Sequence, residues 1–115
     1  MLLLRSLAFN CLFYLSIPVH AMVFMPTLAM SREAVIRATQ SWARIVTFLM
    51  RTVIGVRIEC RGLENVPPGP LLIAAKHQSA WETFGLLPYL ANPVFVMKRE
   101  LMRLPFYGWY CRRAA

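Results

Sequence analysis

An uncharged run of 26 residues near the start of the chain, residues 6–31, limits the possible folds more than any other feature. It contains no Asp, Glu, Lys or Arg. A helix of about 20 mainly apolar residues is long enough to cross a bilayer. Pro18 and Pro26 disfavour one straight helix, because proline removes a backbone donor and clashes with the preceding turn. We therefore predict a membrane anchor that is a kinked span, a re-entrant hairpin or an interfacial segment.

Two other interpretations compete with the retained anchor. Arg5, the apolar stretch and the small residues at positions 19–21 resemble a cleavable signal peptide. His20 inside that motif and the apolar run that continues to Met30 argue against cleavage. The buried core helix of a soluble protein is the second alternative, because length alone does not separate it from a membrane helix.

The following stretch, residues 32–54, has the pattern of an amphipathic helix. Ser31 is a suitable N-cap, and Arg37, Arg44 and Arg51 recur every seven residues, which keeps them on one helix face. Apolar residues fill much of the remainder, among them Trp42, Ile45, Val46, Phe48, Leu49 and Val53. The arginines are predicted to face phospholipid phosphates, solvent or both.

Composition narrows the function classes. The 115 residues are 58% hydrophobic and carry a net charge of +8, which disfavours disorder and points to a membrane surface or anionic ligands. Cys11, Cys60 and Cys111 are isolated, so they indicate neither a disulfide scaffold nor a metal site. No nucleic-acid-binding motif is present, and nucleic acid is not expected as a partner.

The distribution of charge divides the chain into two regions. We predict a membrane-associated helical anchor over residues 1–54 and a second region over residues 55–115. The basic residues after the uncharged run give residues 32–61 a net charge of +4. If the run crosses the membrane, this basic side is cytoplasmic, because positive loops remain inside. The expected location is the cytoplasmic face of the bacterial inner membrane.

The second region alternates between strand-like and helix-like segments. Residues 56–61 (VRIECR) alternate apolar and polar side chains, and residues 71–75 (LLIAA) and 94–97 (VFVM) are short apolar runs typical of buried strands. Helical segments are predicted over residues 80–90 and 99–104. We therefore predict an α/β fold, with the first part of a mixed sheet covered by helices after the N-terminal helices.

The candidate chemistry lies directly after the predicted strand 71–75. His77 and Glu82 are five residues apart, a spacing that lets a carboxylate orient the imidazole while the ring accepts a proton from an alcohol. Such a pair suits transfer of an acyl group onto an alcohol. The alternative is structural, because Ser79 and Glu82 also form the S-x-x-E pattern of a capping box. Ser79 lacks the G-x-S-x-G context of a nucleophile.

The stretch LLIAAKHQSAWETF resembles the first motif of the glycerolipid acyltransferases, the 1-acylglycerol-3-phosphate acyltransferase family, in which an acidic residue follows a His after four others (HX4E). The N-terminal helices, IECRGLENVP and VMKRELMRLPFYGWY are also similar to bacterial members. The resemblance implies an O-acyltransferase of phospholipid biosynthesis. It would transfer an acyl group from acyl-CoA or acyl-carrier protein to lysophosphatidic acid, giving phosphatidic acid, with membrane lipids as partners and no metal or other cofactor.

The same resemblance implies roles for three residues. His77 would be the general base, Glu82 would orient it, and Lys98 would bind the acceptor's phosphate. Glu82 departs from the Asp that most members have, although the longer side chain still reaches the imidazole. Lys98 could equally be a surface charge.

The family continues beyond the length of this chain with an Arg-bearing motif and an E-G-T-R-like motif. The chain is therefore expected to be the N-terminal portion of a truncated acyltransferase domain and to be inactive alone. The alternative is a non-catalytic membrane-surface-binding protein or a degraded gene fragment.

Overall fold

The computed structural model describes all residues 1–115, and helices are its only regular elements. The four α-helices are α1 (Leu2–Val23), α2 (Arg32–Leu49), α3 (Glu82–Gly85) and α4 (Tyr107–Ala114). Tight 3-10 turns lie at Met25–Ala29, Leu63–Asn65, Leu87–Tyr89 and Arg99–Arg103, and one π-helical turn, Met50–Ile54, extends α2.

The predicted α/β class is wrong, because the chain contains no strand and therefore no mixed sheet. Residues 56–61, 71–75 and 94–97 lack regular structure, and no backbone hydrogen bond joins any of these segments to another. A strand is stabilised by pairing with a neighbour, so an alternating or apolar pattern alone does not form one. The apolar side chains of these segments remain open, with Leu72 92% exposed.

Helix α1 contains most of the uncharged run, up to Val23, together with residues 2–5 before it. It is 22 residues long, includes Pro18 and ends before Pro26, which lies in the 3-10 turn Met25–Ala29. By length and composition α1 could cross a membrane, and it is the one helix in the chain for which this holds. Most of its large apolar side chains are exposed, including Leu3, Leu7, Leu12, Leu15 and Val19.

Helix α2 begins where the sequence predicts. The Ser31 hydroxyl accepts a hydrogen bond from the backbone N–H of Ala34 at 3.3 Å, which satisfies one of the free donors in the first turn. One face of the helix is buried, with Val35 and Val46 fully inaccessible. Arg37, Arg44 and Arg51 are all exposed, the last of them in the π-helical turn.

Helices α1 and α2 pack as an antiparallel hairpin with polar contacts inside the apolar interface. The Trp42 indole N–H donates to the Ser16 hydroxyl at 3.0 Å, and His20 Nε2 lies 2.9 Å from the Ala38 carbonyl oxygen. Trp42 also meets Phe84 of α3 edge-on, with ring centroids 5.3 Å apart. The hairpin is thereby the platform on which α3 sits.

Helix α4 closes the other end of the hairpin. The buried Tyr110 hydroxyl donates to the Ala21 carbonyl at 2.9 Å, which links the last helix to the first. Arg32 donates to the Ala114 carbonyl at 2.7 Å, and Arg113 donates to the Met30 carbonyl at 2.6 Å. These contacts join residues more than 80 positions apart.

Candidate functional site

The turn before α3 is organised around the carboxylate of Glu82. Its Oε1 accepts hydrogen bonds from the backbone N–H groups of Gln78 at 2.6 Å and Ser79 at 2.9 Å. The Ser79 hydroxyl donates to Oε2 at 3.2 Å and accepts from the Trp81 N–H at 3.1 Å. These reciprocal bonds resemble a capping box, the structural alternative that the S-x-x-E pattern offered.

The same turn brings His77 beside Glu82. Nδ1 of His77 lies 3.9 Å from Oε2 of Glu82, which is within ion-pair distance but too long for a hydrogen bond. The His77 side chain is 75% exposed, whereas that of Glu82 is 16% exposed. The imidazole is therefore accessible to a ligand, and its carboxylate neighbour is held in place by the turn.

Hydrogen bonds to the Glu82 carboxylate stabilise its ionised form. The backbone N–H of Gln78, followed by smaller contributions that include the Ser79 amide and hydroxyl, lowers the pKa of Glu82 from 4.5 to about 2. The carboxylate is therefore ionised at neutral pH.

The third candidate residue, Lys98, forms no hydrogen bond or ion pair with His77 or Glu82. It is exposed and immediately precedes the 3-10 turn Arg99–Arg103. Its ammonium makes no hydrogen bond or ion pair with His77, Glu82 or any other side chain. The structure therefore brings together two of the three residues that the resemblance implied. No group of three or more His, Cys, Asp or Glu side chains forms a metal site.

An apolar groove of about 590 Å³ begins next to the His77–Glu82 pair. Thr83 and Phe84, the two residues after Glu82, contribute to its wall. The rest of the lining comes from distant parts of the chain, including Phe13, Trp42, Leu104 and Tyr110. Sequence reasoning missed this groove because no local pattern relates positions on α1, α2 and α4.

The side chain of Trp81, directly before α3, packs against Gly85 of that helix. Its ring lies so close to Gly85 that a Cβ atom at that position would overlap the indole. The indole N–H is buried and has no hydrogen-bond partner. The absence of a side chain at position 85 therefore leaves the space that the indole occupies.

Comparison with known proteins places the turn in a family context. The acyltransferase family model matches residues 57–115, just over half of the chain, and the matched region contains His77, Glu82 and Lys98. The chain belongs to the acyltransferase family. The family resemblance read from the residues is thereby confirmed.

One similar relative of this chain is the 1-acyl-sn-glycerol-3-phosphate acyltransferase of Pseudomonas aeruginosa, which is 50% identical over 70 residues. The match covers 61% of the chain and 27% of the relative. The chain thus spans little more than a quarter of the relative's length. No solved structure matches it.

Proposed function

We propose that the chain serves in the transfer of an acyl group from an acyl thioester, acyl-CoA or acyl-carrier protein, to the free hydroxyl of lysophosphatidic acid, giving phosphatidic acid. The observation that carries this proposal is the pairing of His77 and Glu82 at 3.9 Å inside the region matched by the acyltransferase family. The name of the Pseudomonas aeruginosa relative supports the choice of acceptor.

The chemistry assigned to His77 is general-base catalysis. The ring accepts the acceptor's hydroxyl proton as the oxygen attacks the thioester carbonyl carbon. The carbon–sulfur bond then breaks, and the leaving thiolate accepts that proton from the imidazolium. Glu82 orients the ring and stabilises its charge, and the Lys98 ammonium binds the acceptor's phosphate. His77 and Lys98 are exposed and Glu82 is partly exposed, so an amphiphilic substrate can reach them.

The proposed location is the cytoplasmic face of the bacterial inner membrane. Helix α1 has the length and composition to anchor the chain, and the net charge of +4 over residues 32–61 favours the inner side for the residues after α1. Membrane lipids are then partners as well as the source of the acceptor.

The proposal is tested with a chimera in which the segments of the Pseudomonas aeruginosa relative beyond the matched region are added to this chain. The chimera should transfer labelled acyl groups to lysophosphatidic acid, whereas the 115-residue chain alone, which spans 27% of the relative, should not. In the chimera, His77→Ala should reduce the rate by about 10²–10⁴-fold, which is the usual contribution of a general base.

Gln78→Ala is the matched control, because only the backbone N–H of Gln78 contacts Glu82. It should retain most of the activity, and so should Glu82→Asp. Full activity of His77→Ala would contradict the general-base assignment. An inactive but folded and membrane-bound chimera would favour the non-catalytic alternative.

A further inference from the structure

A small basic groove lies on the exposed side of α2, where the helix meets the turn Leu87–Tyr89. It has a volume of about 250 Å³. It is lined by Arg44, Thr47, Phe48, Arg51, Pro88 and Tyr89. The two arginines are seven positions apart, which is two helical turns, so both guanidinium groups border the same depression. The groove shares no residue with the His77–Glu82 turn.

The charge of this groove has no partner within the chain. Arg44 and Arg51 are exposed and make no hydrogen bond or ion pair. Arg32 and Arg113 differ, because their guanidinium groups donate to backbone carbonyls that tie α4 to the hairpin. None of the five acidic residues of the chain lines the groove. Two guanidinium groups with free donors in one depression suit an anion such as a phosphate.

The apolar part of the lining indicates where that phosphate comes from. Phe48 is 63% exposed and Tyr89 is 40% exposed, and Ile45, 44% exposed, adjoins Arg44 on the same helix. Exposed aromatic and aliphatic side chains next to arginines are typical of surfaces that lie at the headgroup level of a bilayer. A site for a free phosphate in water would gain nothing from the exposed phenyl ring of Phe48.

We propose that this groove binds the phosphate headgroup of an anionic phospholipid at the membrane surface. Arg44 and Arg51 contact the phosphate, and Phe48 contacts the adjoining acyl region. This binding is independent of the proposed acyl transfer and of its acceptor site. It orients α2 at the bilayer surface by a defined contact rather than by net charge alone.

The test uses the full chain in nanodiscs of neutral phosphatidylcholine, to which phosphatidylglycerol is added stepwise. The arginine side-chain Nε–Hε signals are followed by NMR. Saturable shifts confined to Arg44 and Arg51 are the expected result. Equal shifts of all exposed arginines would overturn the proposal, since they would indicate a diffuse electrostatic attraction. Equal shifts on adding inorganic phosphate would overturn the lipid assignment, because the groove would then bind phosphate from water.

Paired variants separate the groove from total charge. R44Q/R51Q should weaken phosphatidylglycerol binding by about 30-fold, from the usual contribution of two arginines near an anionic surface. R57Q/R112Q removes the same charge at two exposed arginines outside the groove and should change binding less than about threefold. Equal losses in the two variants would overturn the proposal. R44K/R51K should fall between them, because lysine keeps the charge but loses the planar fork, and circular dichroism verifies that each variant retains its helices.

Discussion

Helix α2 and the segment over residues 63–80 are held in opposite ways. Helix α2 buries Val35 and Val46 completely and contacts α1, α3 and α4. Every residue of the segment 63–80 is exposed, and its hydrogen bonds reach no further than four positions along the chain. The candidate site lies at the junction of these regions. Its imidazole comes from the exposed segment, and its carboxylate is on the first residue of a helix packed on the hairpin.

The largest expected effect comes from a charge placed in the buried face of α2. Val46→Asp puts a carboxylate among Ala43, Phe84 and Leu87 with no partner for it. The free energy of unfolding should fall by about 4 kcal/mol, measured by thermal unfolding of the helical circular dichroism signal in neutral detergent. Ile45→Asp is the control, because that side chain is 44% exposed, and equal losses would mean that α2 is not packed as described.

A smaller effect is expected where α4 meets α1. Tyr110→Phe removes the hydroxyl that donates to the Ala21 carbonyl at 2.9 Å in a buried position. The loss should be about 1–2 kcal/mol, because one buried acceptor remains unpaired. Tyr14→Phe, at a side chain 67% exposed and without a hydrogen bond, should leave the melting temperature unchanged. An unchanged free energy of unfolding for Tyr110→Phe would show that this hydrogen bond does not stabilise the docking of α4.

The turn at the candidate site should respond to the charge of Glu82 without unfolding the hairpin. Since the pKa of Glu82 is lowered from 4.5 to about 2, its contribution to the turn is present above pH 4.5 and is lost as the pH falls toward 2. A carboxyl ¹³C titration should show a midpoint near pH 2. Glu82→Gln should speed amide exchange at Gln78 and Ser79, whereas Glu64→Gln should not. A midpoint at 4.5 would mean that the amide contacts are absent in solution.

The smallest effect is expected in the exposed segment. Leu72→Thr changes a side chain that is 92% exposed, so the free energy of unfolding should move by less than about 0.5 kcal/mol. A loss of about 2 kcal/mol or more would show that Leu72 is buried in solution, and the contrast between the two regions would fail.

Sequence patterns indicate contacts well where the two contacting residues are only a few positions apart. Ser31 caps α2 through a contact three residues away, and the His77–Glu82 spacing places the two side chains 3.9 Å apart. The helix predicted over residues 80–90 is shorter, because Pro88 interrupts it and the chain continues as the 3-10 turn Leu87–Tyr89.

Sequence patterns did not predict the structure where it depends on contacts between residues far apart in the chain. The alternation at residues 56–61 describes one side of a strand pair, and the sheet that it implied does not form because no second strand pairs with it. The contact between Tyr110 and Ala21 spans 89 positions, and no local pattern around either residue indicates it. The same holds for Tyr89, which completes the groove of Arg44 and Arg51 from another part of the chain.

The carboxamide of Gln40 has a mechanical consequence for the site. Its nitrogen donates to the Leu90 carbonyl at 2.8 Å and to the Leu87 carbonyl at 3.2 Å. One side chain of α2 therefore binds the first residue of the turn that follows α3 and the residue directly after that turn. A tilt of α2 therefore pulls this turn with it. Glu82 begins the helix that leads into the turn, so the Gln40 side chain helps to hold the candidate site on the hairpin. A single amide side chain thus couples the hairpin mechanically to the segment that carries the candidate site.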